Sequence, residues 1–210
     1  MATTTRVSFL PEALNPRARR SCVVALTPGE LLTVLGIARE RRVRDWCMIL
    51  MAYRHGLRSR EICELKLAEV MAGSVSLQRL QGSLRTTQPL QRHANVPLLD
   101  EVQALREWLR VRRPDASGSL FTSQKGGALH PSQFFRIFQT VAAAAGLVSR
   151  KRHPRVLRHS LASHLVAGGV DITVVSQALG HRSINSTLKY VRPSDRQAAE
   201  ATQGALLRIF

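Results

Sequence analysis

Leu179-Gly180-His181-Arg182-Ser183-Ile184-Asn185-Ser186-Thr187-Leu188-Lys189-Tyr190 sets a histidine and a tyrosine nine residues apart. About twenty residues upstream lies the arginine-rich run His153-Pro154-Arg155-Val156-Leu157-Arg158-His159-Ser160. A phenol can act as a nucleophile and become esterified to phosphorus, while a planar guanidinium grips two non-bridging oxygens of a phosphodiester at once. A tyrosine in the company of a histidine and two arginines therefore points to a nucleic-acid backbone as substrate.

The charge balance agrees. The chain carries 31 Lys and Arg against 14 Asp and Glu, a formal net charge of +17 over 210 residues, so a polyanion is the expected partner. The basic residues are 27 Arg and 4 Lys. That skew suits bidentate phosphate contacts, but a GC-rich genome produces it equally well, so it decides nothing alone. Hydrophobic residues make up 44% of the chain, enough for a real core, and the length fits one domain or one domain with a short appendage. A disordered basic tail is excluded.

Cys22, Cys47 and Cys63 are odd in number and far apart, and their spacing matches neither a disulfide framework nor a zinc site. Met1 to Asn15 lacks the uninterrupted apolar stretch of a secretory signal, and no apolar run approaches the roughly 20 residues of a membrane span. The expectation is a reducing, soluble, cytoplasmic setting with no membrane partner and no metal.

Residues 1–26 read as an irregular basic arm around Pro11, Pro16 and Arg17-Ala18-Arg19-Arg20, and residues 27–210 as the globular part. Thr27-Pro28-Gly29-Glu30 supplies an N-cap, a proline at the first helical position and a capping-box glutamate before Leu31, Leu32, Leu35 and Ile37. A second helix runs from Val43 to Gly56 and a third short one follows the cap candidate Ser59, so Arg58 falls in the joint between them. From Ser74 the period changes to two, and the runs around Val75 and Leu77 and from Thr86 to Leu98 predict a small antiparallel ribbon. Helices return at Asp100 and Pro131. The last third predicts short punctuated helices over 156–167, 171–179, 183–190 and 194–207, each with a polar cap or a glycine stop. The fold class is mainly α with a small antiparallel β ribbon, an α+β domain.

Gly56-Leu57-Arg58-Ser59-Arg60-Glu61-Ile62, the box Leu157-Arg158-His159-Ser160, the stretch Leu179-Gly180-His181 and the downstream Tyr190 together resemble the catalytic domain of the tyrosine recombinases, or lambda-type integrases. The resemblance covers roughly residues 27–200, and the order and spacing of all four pieces match. With its ribbon around Thr86-Thr87, the chain looks most like the small recombinases that invert fimbrial promoter switches, which lack a separate N-terminal core-binding domain.

The resemblance implies a chemistry. Tyr190 would be the nucleophile that attacks the scissile phosphate, is left joined to a 3′ phosphate and expels a 5′ hydroxyl. The bond energy is conserved, so no cofactor is implied. Arg58 and Arg158 match the paired arginines that neutralise the pentavalent phosphorane, and His181 matches the histidine that donates to a phosphate oxygen. His159 is assigned to packing or capping.

Two positions depart from the family pattern. The usual His-x-x-Arg box begins here with Arg155, and the ribbon position of the usual catalytic lysine holds Gln81. Arginine has no acceptor, so Arg155 can favour a phenolate by charge but cannot take its proton. His153 is the less favoured substitute. Glutamine cannot protonate a leaving 5′ oxygen, which leaves Arg79 or Arg85 on the same ribbon to stabilise it by charge.

Gly146 to Gly169, with Arg150, Lys151 and Arg152 leading into a helix, is a candidate DNA-facing strip and Arg17–Arg20 is another, a merely solvated charged loop being the alternative for each; Gln81, Arg79 and Arg85 on the ribbon are further candidate DNA contacts. The helix at 194–207 is expected either to pack into a neighbouring protomer, linking a tetramer around two duplexes, or to stay on its own domain. Accessory DNA-bending proteins are compatible with this reading. Two alternatives stand beside the recombinase: a helix-turn-helix regulator built on 156–167 and 171–179 around Gly168-Gly169-Val170, and a relative that binds DNA but has lost turnover through Gln81 and Arg155.

Overall fold

The computed structural model describes residues 23–77, 79, 85–123, 126–191, 202, 203, 206 and 207. Among these are eight α-helices and a two-stranded antiparallel sheet. The N-terminal cap forms as its residues dictate. Thr27 Oγ1 accepts from Glu30 N–H at 3.2 Å, Glu30 Oε2 accepts from Thr27 N–H at 2.7 Å, and Pro28 opens α1 (Pro28–Arg41). The core starts earlier than Thr27, however. Leu26 is 2% exposed, its N–H donates to Ser160 Oγ at 2.7 Å, and its carbonyl lies 2.8 Å from His164 Nε2. The backbone of Leu26, read as part of the arm, is thus held on both sides by a later helix.

The second helix, α2 (Val43–Arg54), is the axis of the molecule: every residue from Asp45 to Ala52 is buried. A helix covered on all sides needs partners on all sides, and α2 packs against α1, α4 (Glu101–Val111), α6 (Arg155–Ala167) and α3 (Ser59–Glu64). Trp46, Met48, Ile49, Leu50 and Met51 have no exposed surface, and each large apolar side chain so buried contributes about 1.5–3 kcal/mol. The same core takes in Phe134 and Phe138 of α5 (Pro131–Ala144) and Val156 and Leu157 of α6.

A 3-10 segment, Leu67–Gly73, leads into β1 (Ser74–Leu77), which pairs with β2 (Thr86–Pro89) in the register Ser74 to Pro89 and Leu77 to Thr86. Val75 and Leu77 point inward, as the period of two predicts. The extended run expected through Leu98 is shorter: the strand stops at Pro89, and Pro97–Leu99 is a 3-10 turn with proline at its start.

Two short helices complete the described fold, α7 (Ile172–Leu179) and α8 (Asn185–Leu188). The helix expected over 183–190 is only this one turn. The helix expected over 194–207 and the basic residues Arg17–Arg20 lie outside the described residues, apart from isolated positions in 202–207. Cys47 and Cys63 are buried free thiols, and burial raises the Cys63 thiol to about 12. No helix among the described residues is long and apolar enough to cross a membrane.

Candidate active site

Three local backbone devices put the key side chains in place. The first ends α2. Gly56, at φ +58, lets Leu57 N–H reach Ala52 O at 2.9 Å and turns the chain sharply into α3. The N-cap of α3 is then Arg58 and not the expected Ser59: Glu61 Oε2 accepts from the Arg58 N–H at 2.9 Å. The same carboxylate holds the Arg58 guanidinium, Nη1 to Oε1 at 2.7 Å.

The second device ends α7. Gly180, at φ +67 and ψ 33, is left-handed, and the following His181 N–H donates to Ser176 O at 2.9 Å. That bond sets the direction of the His181 imidazole, and Thr187 Oγ1, buried in α8, lies 2.7 Å from its Nδ1. The third device is α6 itself, which carries Arg158 on its buried face and His159 beside it.

Arg158 spans the first two devices. It is 6% exposed, with Nη1 donating to Gly56 O at 2.6 Å and Nη2 to Leu179 O at 2.9 Å. Its charge bears on Arg58, Arg79 and Tyr190. Burial, with the like charges of Arg58 and Arg79, lowers it to about 10.

Arg79 proves to be a third member of this cluster. It was expected to face DNA, but it is 3% exposed. Its Nε donates to Thr86 Oγ1 at 3.1 Å, and its Nη2 donates to His55 O at 2.9 Å and Ala178 O at 3.0 Å. Its Nη1 lies 3.6 Å from Glu61 Oε2, too far for a hydrogen bond, so that pair is held by charge. Inward alternation explains the correction: Val75, Leu77 and Arg79 share one face, and that face is covered by the ends of α2 and α7. Arg79 therefore stiffens the site from behind.

Tyr190 is half-buried against Leu161, Ala162, Val175 and Leu179. Its hydroxyl lies 2.7 Å from His159 Nδ1, with the two rings tilted and their centroids 5.8 Å apart. Lys189 Nζ stands 5.1 Å over the phenol ring. Burial raises the Tyr190 phenol while the charge of Arg158 pulls it back down. Both neighbouring imidazoles are held neutral: burial and surrounding cations depress His159 and His181 to about 4 each.

The remaining expectations divide. Arg155 is exposed at the start of α6, one turn before His159, and its charge bears on His159 and Lys189. Arg85 and Arg150 are exposed. Lys151 belongs to the scaffold: its Nζ sits 2.6 and 2.7 Å from the Glu30 carboxylate oxygens and ties the 150–152 turn to α1. Arg152 closes that turn through Nε to Leu147 O at 2.6 Å. Gln81 lies outside the described residues. A cavity of about 710 Å³ lined by Arg42, Arg44, Trp108 and Arg113 shares no residue with the arginine cluster.

Sequence reasoning passed over Glu61 and Thr187, and it assigned to packing or capping the residue that meets the Tyr190 hydroxyl, His159. Glu61 was visible as a carboxylate three residues after Arg58, the spacing of a helix-start pair. Thr187 carried no signal of its partner in the sequence, and His159 meets a phenol 31 residues away that folding brings to it.

The arrangement gathers three guanidinium groups with a phenol and two neutral imidazoles, and Glu61 is the acid within the cluster. It is built to receive an anion with a tyrosine oxygen at its edge. Residues 25–197 match the family described as the phage integrase family. Type 1 fimbriae regulatory protein FimB of Escherichia coli (strain K12) is 36% identical over 172 residues, 79% of this chain and 82% of FimB. Tyrosine recombinase XerA of Pyrococcus furiosus is 30% identical over 198 residues, 92% of this chain and 65% of XerA. The fold also matches the crystal structure of XerH site-specific recombinase bound to its difH substrate before cleavage. That match has a TM-score of 0.71 and 24% identity, over 87% of this chain and 55% of the XerH chain. The chain thus spans about two thirds of XerA and just over half of XerH. It belongs to the phage integrase family and is a tyrosine recombinase.

Proposed function

We propose that the protein cuts and rejoins double-stranded DNA at specific sites, with Tyr190 as the nucleophile. The Tyr190 oxygen bonds to phosphorus, the bond from phosphorus to the 5′ oxygen breaks, and the chain is left joined to a 3′ phosphate. A 5′ hydroxyl from a partner strand reverses the step. Arg58 and Arg158 hold the non-bridging oxygens as charge builds on them, and His181 donates to one of them. Arg79 and Glu61 position these groups without touching DNA.

The single observation that supports this reading best is that the buried Arg158 couples electrostatically to Arg58 and Arg79 and also to the Tyr190 phenol. Burial first, and then the like charges of Arg58 and Arg79, lower Arg158, with Glu61 offsetting part of this, so a bound phosphate would further favour its charged form. The kinship with FimB and XerA points the same way. The finer parts of the proposal are a tetramer on two duplexes, a cytoplasmic setting, and DNA contacts through exposed Arg85 and Arg150.

The test is direct. A nicked duplex carrying the repeats that flank the protein's own gene is incubated with the protein, denatured and resolved by electrophoresis. DNA should migrate with protein, and Tyr190→Phe should abolish that adduct. A footprint without any adduct in the wild type would instead indicate a protein that binds without cutting.

A further inference from the structure

The Tyr190 phenol must lose its proton to attack phosphorus, and the position where its family carries a histidine holds Arg155, which has no lone pair to accept one. Arg155 is also exposed at the first turn of α6. One turn further along the same helix face, His159 brings Nδ1 to 2.7 Å from the phenolic oxygen, a normal hydrogen-bond length for an O–H donor. The other imidazole of the site is engaged elsewhere: His181 Nδ1 lies 2.7 Å from Thr187 Oγ1.

We propose that His159 is a catalytic residue of this protein, the general base that takes the Tyr190 proton through Nδ1 and so replaces the histidine missing at position 155. The inference rests on the strand-cleavage reading above. In the step, the proton passes from the Tyr190 oxygen to His159 Nδ1. The oxygen's electron pair forms the bond to phosphorus, the bond to the 5′ oxygen breaks, and that oxygen takes a proton from water. On rejoining, the 5′ hydroxyl gives its proton back to the hydroxide left from that water and its oxygen bonds to phosphorus, the bond from phosphorus to the Tyr190 oxygen breaks, and His159 returns its proton to the phenolate.

The charges around His159 make the device conditional. Burial, with the charges of Lys189, Arg155, His153 and Arg158, lowers it to about 4 in the free protein. Neutrality leaves the acceptor lone pair available at physiological pH. An imidazolium among those cations becomes tolerable once a DNA phosphate adds negative charge nearby, so the base is armed by the substrate it serves.

The experiment measures single-turnover adduct formation on the nicked duplex described above, from pH 6 to 9, for the wild type and His159→Gln. Removing the base should slow adduct formation by about 10²–10⁴-fold, make the remaining rate climb with hydroxide concentration, and leave DNA binding by gel shift intact. A second duplex with sulfur in place of the bridging 5′ oxygen needs no proton on its leaving group. The defect should persist on it, because the missing function is at the nucleophile. Should the variant fail to fold, His159→Ala supplemented with free imidazole replaces it, and added imidazole should raise the rate at least tenfold. Cleavage by His159→Gln within threefold of the wild type with an unchanged pH profile would overturn the proposal, as would full rescue by the sulfur-bridged duplex. Failure of imidazole to raise the rate of a folded His159→Ala would overturn it too. A wild type that forms no adduct would fail the strand-cleavage reading itself, which these comparisons keep separate.

Discussion

Arg158 does two jobs with one side chain. Its fork bonds the carbonyls that end α2 and α7, and its charge acts on the phenol. Arg158→Lys keeps a cation but cannot reach both Gly56 O and Leu179 O in the plane of a fork. Each buried acceptor left unsatisfied costs about 1–3 kcal/mol, and loss of one transition-state donor costs about 10²–10³ in rate. The variant should therefore fall in both thermal stability and adduct formation, read by calorimetry and by the cleavage gel. Gln81 presents the opposite case, a residue that the resemblance to the family sets where a proton donor is usual. Gln81→Lys should raise cleavage of a nicked duplex; a rate that stays level or drops would show that the lysine position lies elsewhere on the ribbon.

At the scale of elements, the site depends on how closely α2, α6 and α7 approach. A Cβ added to Gly56 would lie 2.6 Å from Leu179 Cδ2 and 3.3 Å from Leu161 Cδ2, in a backbone conformation of φ +58. The left-handed region alone disfavours alanine by about 1–2 kcal/mol, and forcing atoms into a packed contact adds about 1–3 kcal/mol. Gly56→Ala should lower the urea midpoint with an unchanged slope and displace Arg158, so that adduct formation drops more than DNA binding does. Much of this level was legible beforehand: the Thr27 cap, the glycine stops and the Arg58 joint follow from residue chemistry. The errors were at ends and edges. Ser59 looked like a cap, yet Glu61 reaches back to the Arg58 N–H. The strand after Thr86 stopped early at Pro89, with Leu90 N–H still donating to Gly73 O at 2.9 Å just beyond it.

Across the whole molecule, two electrostatic consequences follow. A net charge of +17 implies that DNA affinity falls linearly with log salt, with a slope near −0.9 for each phosphate neutralised. Titrations between 50 and 200 mM salt on specific and unrelated duplexes should show this slope on both. Stability also depends on pH through His159 and His181. Their folded values, about 4, lie below the ordinary value of 6.5. The unfolded chain therefore binds more protons between those limits. The sign follows: the contribution is complete above about pH 6.5 and is lost as pH falls toward 4. Urea unfolding across that window should give a midpoint that drops with pH, and less steeply in His159→Gln.

The amino acids alone were enough for a polyanionic partner and the helical architecture, because charge and caps are local properties, and the resemblance to the family singled out Arg58, Arg158, His181 and Tyr190 as candidates. Folding was needed to show that Arg79 turns inward, that Lys151 is spent on Glu30, and that His159 meets the Tyr190 hydroxyl across 31 residues of chain. Those outcomes depend on which helix ends pack together. A side chain's chemistry is carried in its identity, but whether it faces solvent, a carboxylate or a nucleophile is set by neighbours distant in the chain.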